Sequence, residues 1–212
     1  MPEFEWDFTL LLISSGLMIG LMYALIALGF VLVYKATEVV NFAQGDLMML
    51  GGFFAFTFIG MLGLNYWVGF AGAVIAMALF GMLAERVVVR PILGYPQFSI
   101  IMATIGLGYF LRSIVGMIWG TDDFKIETPF SQGVLRIGAL VLGLKAFPAA
   151  VLGGFGSIPG AVVGGVLIGV IESMAGFYLA QGWKDVAPYI VLLAVLLLKP
   201  EGLFGLHVRK KV

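Results

Sequence analysis

Three ionisable side chains stand inside or at the edge of long apolar stretches of this sequence: Arg112, Lys145 and Glu172. In hydrocarbon such groups are costly, and they mark ion pairs, proton relays or solute routes. At a rise of ~1.5 Å per residue, Arg112 lies ~10 Å and Glu172 ~9 Å inside the same-side ends of their segments. Equal depth predicts an Arg112–Glu172 ion pair, either a structural clamp or part of a substrate path. Two opposite charges also suit a zwitterion. Lys145 lies deeper and either snorkels or serves a missing partner. A second polar group, Asn41, Gln44 and Asp46, stands just before an apolar run. Asp46 is expected to cap the helix that follows, where a carboxylate is favoured by the positive helix end. Together with Asn41 and Gln44 it is also a candidate for the substrate path.

Other chemistries are excluded. Gly153–Gly160 is glycine-rich but lacks the Gly-Lys-Ser/Thr ending of a phosphate-binding loop, and no other segment supplies it. Any ATP hydrolysis therefore belongs to another polypeptide. The segment is expected to be a tight turn or a docking site for a partner, with Ser157 and Pro159 as candidate contacts. Glu85–Pro91 is expected to be a polar loop, with Glu85, Arg86 and Arg90 as further candidate contacts. The sequence has no cysteine and one histidine, His207, so thiol catalysis and a zinc cluster are excluded. The carboxylates are scattered and Ser14-Ser15 has no base nearby. The expectation is a protein that is not an enzyme and carries no cofactor or metal.

The elements that position these residues follow from composition. Only 11% of the 212 residues are charged and 61% are hydrophobic, with 30 glycines and a net charge of zero. Soluble domains carry about 25% charged residues. Disorder is excluded by the same figures, and no basic excess points to nucleic acid. The bilayer is the natural solvent. A crossing helix needs about 20 apolar residues, and seven candidate spans result: 8–34, 47–64, 66–84, 98–119, 134–152, 160–178 and 184–199. Asn65 marks the turn between the second and third. The fifth, which carries Lys145, is either a crossing or a re-entrant segment. The fold class is thus an all-α membrane protein, a polytopic helix bundle, with 1–212 as a single transmembrane domain.

Loop cations set the orientation. One side holds Lys35, Arg86, Arg90, Lys199, Arg209, Lys210 and Lys211; the other holds Lys125, Arg136 and Lys184. The first side is expected to be cytoplasmic, with the N-terminus outside and the C-terminus inside. Trp6, Trp67, Trp119 and Trp183 then fall near the outer interface. The acidic N-terminus lacks the basic region of a cleaved signal, so the first span is expected to be retained. Gly16/Gly20, Gly116/Gly120, Gly156/Gly160, Gly160/Gly164 and Gly165/Gly169 are small-residue pairs four apart, suited to close helix contact.

Several strings carry a family resemblance. Gly20–Phe30 followed by Val40-Asn41-Phe42-Ala43-Gln44-Gly45-Asp46 resembles the opening of bacterial branched-chain amino acid ABC transporter permeases of the LivH type. Glu85-Arg86-Val87 with Arg90-Pro91, Leu144–Ala161 and Leu198–Gly205 resemble later parts of the same family. The resemblance implies a multi-pass inner-membrane subunit importing leucine, isoleucine, valine or related solutes. It implies as partners a second, LivM-like permease subunit, two ATP-binding subunits and a periplasmic substrate-binding protein. The family has two further spans and a coupling helix where this chain has only 137–143, so an internal deletion is expected there. The alternative expectations are a coupling-defective or regulatory membrane subunit, or an ATP-independent channel or carrier.

Overall fold

The computed structural model describes residues 6–120, 139–179 and 182–205. Residues 121–127, the start of the junction near 137–143 and His207 lie outside these residues. Eight helices are described: α1 (Trp6–Thr37), α2 (Gln44–Phe56), α3 (Tyr66–Ala84), α4 (Arg90–Ile92), α5 (Gln97–Trp119), α6 (Ala139–Gly153), α7 (Ile158–Tyr178) and α8 (Trp183–Leu198). No strand occurs among the described residues. Four stretches are long and apolar enough to cross a bilayer: Thr9–Thr37, Tyr66–Ile92, Gln97–Trp119 and Ile158–Tyr178. The other expected spans are occupied by shorter helices. The chain divides into two compact units, one built from residues 1–38 and 143–212, the other from 39–142.

In the first unit α1 and α7 run antiparallel in close contact. A β-carbon on Gly165 would collide with the Ala24 backbone, and one on Gly169 with the Gly20 backbone. A β-carbon on Gly16 would come within 2.9 Å of Val170 Cα. Two expected small-residue pairs, Gly16/Gly20 and Gly165/Gly169, are therefore opposite faces of one crossing. Lipid gives little hydrophobic drive between helices, so such close van der Waals contact holds them together. Gly153 and Gly164 pack α6 against α7 in the same way, where added β-carbons would meet Gly160 and Ala149 carbonyls. Gly154 and Gly156 turn the chain with φ near 100°, a conformation that favours glycine. Ser157 then caps α7, its hydroxyl accepting from the Gly160 N–H at 3.1 Å. Pro159 sits in the first turn, where its missing N–H costs nothing. The expected turn is confirmed. Residues following α8 close back on it: the Leu203 and Phe204 N–H groups donate to the Leu152 and Gly153 carbonyls at 2.8 and 3.0 Å. These are carbonyls that the end of α6 leaves open.

In the second unit Asn65 caps α3, its side chain accepting from the Trp67 N–H at 3.1 Å. That is the turn expected between the second and third spans. Leu107, Leu111 and Val115 of α5 pack on Ala43, which precedes α2, and on Leu50 of α2. Phe53, Phe54 and Trp119 add a ring cluster with centroids 5.3–6.5 Å apart. The Trp119 indole N–H donates to Thr57 Oγ1 at 2.8 Å. Gly116 faces open space, so the Gly116/Gly120 pair makes no helix contact among the described residues.

One expectation is corrected here. Glu85–Pro91 is not a loop: α3 continues through Glu85–Val89 as a π-helical turn into α4. The run Ala84–Val89 holds no glycine or proline to stop it. In a π turn residues five apart face each other. The Arg90 N–H accordingly reaches the Glu85 carbonyl, and Arg90 Nε donates to Glu85 Oε1 at 3.2 Å. This ion pair is exposed, so it contributes little. Glu85→Gln is expected to change stability by less than about 1 kcal/mol, read from thermal unfolding in detergent.

Candidate functional site

The polar residues singled out in the sequence form two separate clusters, one within each unit. In the second unit, Val39–Ala43 leads into α2. The Asn41 side chain folds back to accept from the Ala43 N–H at 3.0 Å, an Asx turn that fixes the start of the helix. The Gln44 N–H bonds the Asn41 carbonyl at 3.3 Å. From α5, buried Thr104 accepts from the Phe42 N–H at 3.3 Å and donates to the Ile101 carbonyl at 2.9 Å. The entry to α2 is thus tied to α5 by a hydroxyl that the sequence did not single out.

Asp46 is not the cap of α2. Ala43 holds that position without a side-chain bond, and Asp46 lies in the first turn. Its carboxylate is taken by Arg112 instead, with Nη2 at 2.8 Å and Nε at 3.1 Å. Asp46 is 5% exposed, whereas the Arg112 side chain is 42% exposed. The guanidinium also lies 5.3 Å from the centre of the Tyr109 ring, a cation–π contact. Gly108 stands one turn before Arg112, and a β-carbon there would fall on Asp46 Oδ2. Only glycine lets the carboxylate sit against this face of α5.

In the first unit Glu172, on α7, is 3% exposed. It accepts from Lys145 Nζ at 2.8 Å and from the Tyr23 hydroxyl at 2.6 Å. Lys145 Nζ also reaches Asp185 Oδ1 at 2.7 Å, and Lys184 Nζ approaches Glu172 at 3.8 Å. The cluster therefore draws on α1, α6, α7 and α8. Two cations and two carboxylates balance, which is what a buried charged group in a membrane helix requires.

The expected Arg112–Glu172 pair is thus replaced by two others, Arg112–Asp46 and Lys145–Glu172. Depth along a helix axis fixes neither the face of the helix nor its neighbours, so two residues at one level need not meet. Lys145 neither snorkels nor awaits a missing partner: it pairs with Glu172 of this chain. Tyr23, Asp185, Thr104 and Gly108 were missed. Asp185 follows Lys184 at the mouth of an apolar run and reads as a boundary charge. Tyr23 and Gly108 carry no signal that one sequence reveals. Of the candidate contact residues, Glu85, Arg86 and Arg90 lie at the end of the long α3–α4 helix, and Ser157 and Pro159 at the α6–α7 turn.

Comparison with known proteins adds to this geometry. The family model described as branched-chain amino acid transport system / permease component matches residues 12–135 and 130–196. Among similar curated proteins is the high-affinity branched-chain amino acid transport system permease protein LivH of Salmonella typhimurium. It is 27% identical over an alignment that covers 90% of this chain and 94% of that protein. The corresponding permease protein BraD of Pseudomonas aeruginosa has the same identity and coverage. A probable branched-chain amino acid transport permease protein LivH of Methanocaldococcus jannaschii is 21% identical, with 94% of each chain covered. The Salmonella alignment runs over 288 positions, against 212 residues here, so at least 76 positions of that protein face no residue of this chain. The two family-model matches meet at 130–135. No solved structure matches the chain significantly.

Proposed function

The chain belongs to the branched-chain amino acid transport permease family, and from that premise we propose that it is the membrane-spanning subunit of an ATP-driven importer. It is an all-α membrane protein and a transport component. The finer reading is that it moves leucine, isoleucine or valine across the bacterial inner membrane. It does so beside a LivM-like second permease subunit, with two ATP-binding subunits hydrolysing ATP and a periplasmic substrate-binding protein delivering the solute. The excess of Lys and Arg on one set of loops supports an outside N-terminus and a cytoplasmic C-terminus. The observation that carries the reading is the family match over 12–135 and 130–196, which takes in residues of both units.

Asn41, Gln44, Asp46 and Arg112 are proposed to border the substrate path. They bring polar and charged groups to apolar helices of the second unit, where every such group is costly unless used. Glu172 is the corresponding group of the first unit. Glu85, Arg86 and Arg90, and Ser157 and Pro159, are proposed contacts for the ATP-binding subunits. The segment near 137–143 is proposed as the place where the chain is shortened relative to its family. The main coupling contact would then rest with the second permease subunit.

The test is uptake of radiolabelled L-leucine into proteoliposomes holding the complete complex and its binding protein. ATP inside or outside, as orientation requires, is expected to raise uptake at least tenfold over a non-hydrolysable analogue. Uptake that follows an imposed ion gradient without ATP would overturn the reading. So would an assembled ATPase that hydrolyses ATP while no labelled leucine, isoleucine or valine moves.

A further inference from the structure

The Asp46–Arg112 pair is incomplete in a specific way. Both Arg112 hydrogen bonds fall on one carboxylate oxygen, Oδ1. Among the described residues no donor reaches Oδ2, although Asp46 is nine-tenths buried. On the guanidinium, Nε and Nη2 are used and Nη1 has no acceptor among the described residues. A pair built only to hold two helices together does best as a fork, with one N–H to each oxygen. Here the second oxygen is left open and so is the second terminal nitrogen. Beside Oδ2 stands Gly108, whose missing side chain leaves the space that this oxygen fills. The Arg112 side chain, 42% exposed, marks the open side. Leu107 and Leu111 of α5 and Ala43 line the interior side of the helix contact, so apolar packing backs the pair.

We propose that Asp46 Oδ2 and Arg112 Nη1 together receive the charged head of a free amino acid, the ammonium on Oδ2 and the carboxylate on Nη1, with Gly108 as the position that seats the Asp46 carboxylate. A ligand carrying both charges on one carbon satisfies both open valences. An amine alone leaves Nη1 open, and a carboxylate alone leaves Oδ2 open. The site reads the part common to all α-amino acids rather than the side chain. This inference rests on the amino-acid transport reading above, and it names the solute's contact points.

The absence of cysteine permits a direct test. Gly116 lies one turn beyond Arg112 on the same helix, and a β-carbon there meets nothing within 4 Å. Gly116→Cys in the complete complex provides the only thiol of this chain, to be labelled by a small methanethiosulfonate reagent. L-leucine is expected to slow labelling about tenfold or more, whereas leucinamide and N-acetyl-leucine at the same concentration leave it unchanged. Adding Asp46→Asn is expected to remove the protection. Equal protection by all three ligands, no protection by leucine, or protection that survives Asp46→Asn overturns the proposal. A thiol that reacts in the isolated chain but not in the complex, with or without leucine, shows the pair covered by a partner subunit and overturns it as well. Gly108→Ala supplies a reading without a thiol: the KM for leucine uptake is expected to rise about tenfold with Vmax less affected, and an unchanged KM is a contrary result. If wild-type complex takes up leucine while protection is absent, this inference fails and the transport reading stands. If protection is seen without any uptake, the transport reading fails and the binding pair stands.

Discussion

Lys145→Met is expected to destabilise the protein by about 3–5 kcal/mol, because it strands the Glu172 carboxylate in an apolar interior. Glu172 is 3% exposed and lies at the centre of its cluster. After the change it keeps the Tyr23 hydroxyl, which offers one neutral hydrogen bond, and Lys184 at 3.8 Å, whose side chain is half exposed. Neither replaces a buried ammonium at 2.8 Å. Asp185 suffers less, since its side chain is 70% exposed and water can take the place of Lys145. The double variant Lys145→Met with Glu172→Leu is expected to recover most of the loss, because two apolar groups leave no uncompensated charge. Thermal unfolding of the detergent-solubilised protein measures these two variants and Glu172→Leu alone, and yields the coupling between the two residues. A double variant as unstable as the single one would show that the cluster is not organised around this pair.

Gly169→Leu is the second large effect, expected to cost about 3 kcal/mol, the upper part of the range for overpacking a tight contact. Even the first carbon of the new side chain would overlap the Gly20 backbone, and a main chain cannot rotate away as a side chain does. The α1–α7 crossing must open, and Gly165 against Ala24 opens with it. Gly116→Ala is the control. It places a methyl in open space and is expected to stabilise by up to about 1 kcal/mol through helix propensity alone. Unfolding in detergent and limited proteolysis of α1 are the measurements. Equal stability of the two glycine variants would remove the crossing from the account of the fold.

These residues also mark what the sequence reveals. The third expected span, 66–84, coincides with α3, and Asn65 as a turn residue became its cap. Apolar length and one polar interruption suffice for that, since both are local. The glycine pairs of α1 and α7 were readable as small-residue stripes, but not that they face each other, because a stripe does not name its partner. The charged pairs escaped for the same reason. Arg112 and Glu172 were paired by their expected depth, yet Asp46 and Lys145 share their neighbourhoods, and only tertiary packing decides between them. The segment 85–91 was misjudged because charges at the end of an apolar run resemble a solvated loop. The five-residue spacing of Glu85 and Arg90 was the unread sign of a widened helical turn.

The pairing of α1 with α7 also has a consequence for biosynthesis. Residues 38–157 lie between them, so α1 is made and inserted 120 residues before α7 begins. At about 5–20 residues per second, the ribosome needs roughly 6–24 s to supply the missing neighbour. Throughout that interval α7 is not there to cover the Gly16–Gly20 stripe. The helix α1 thus waits for its neighbour until most of the chain between them has been made.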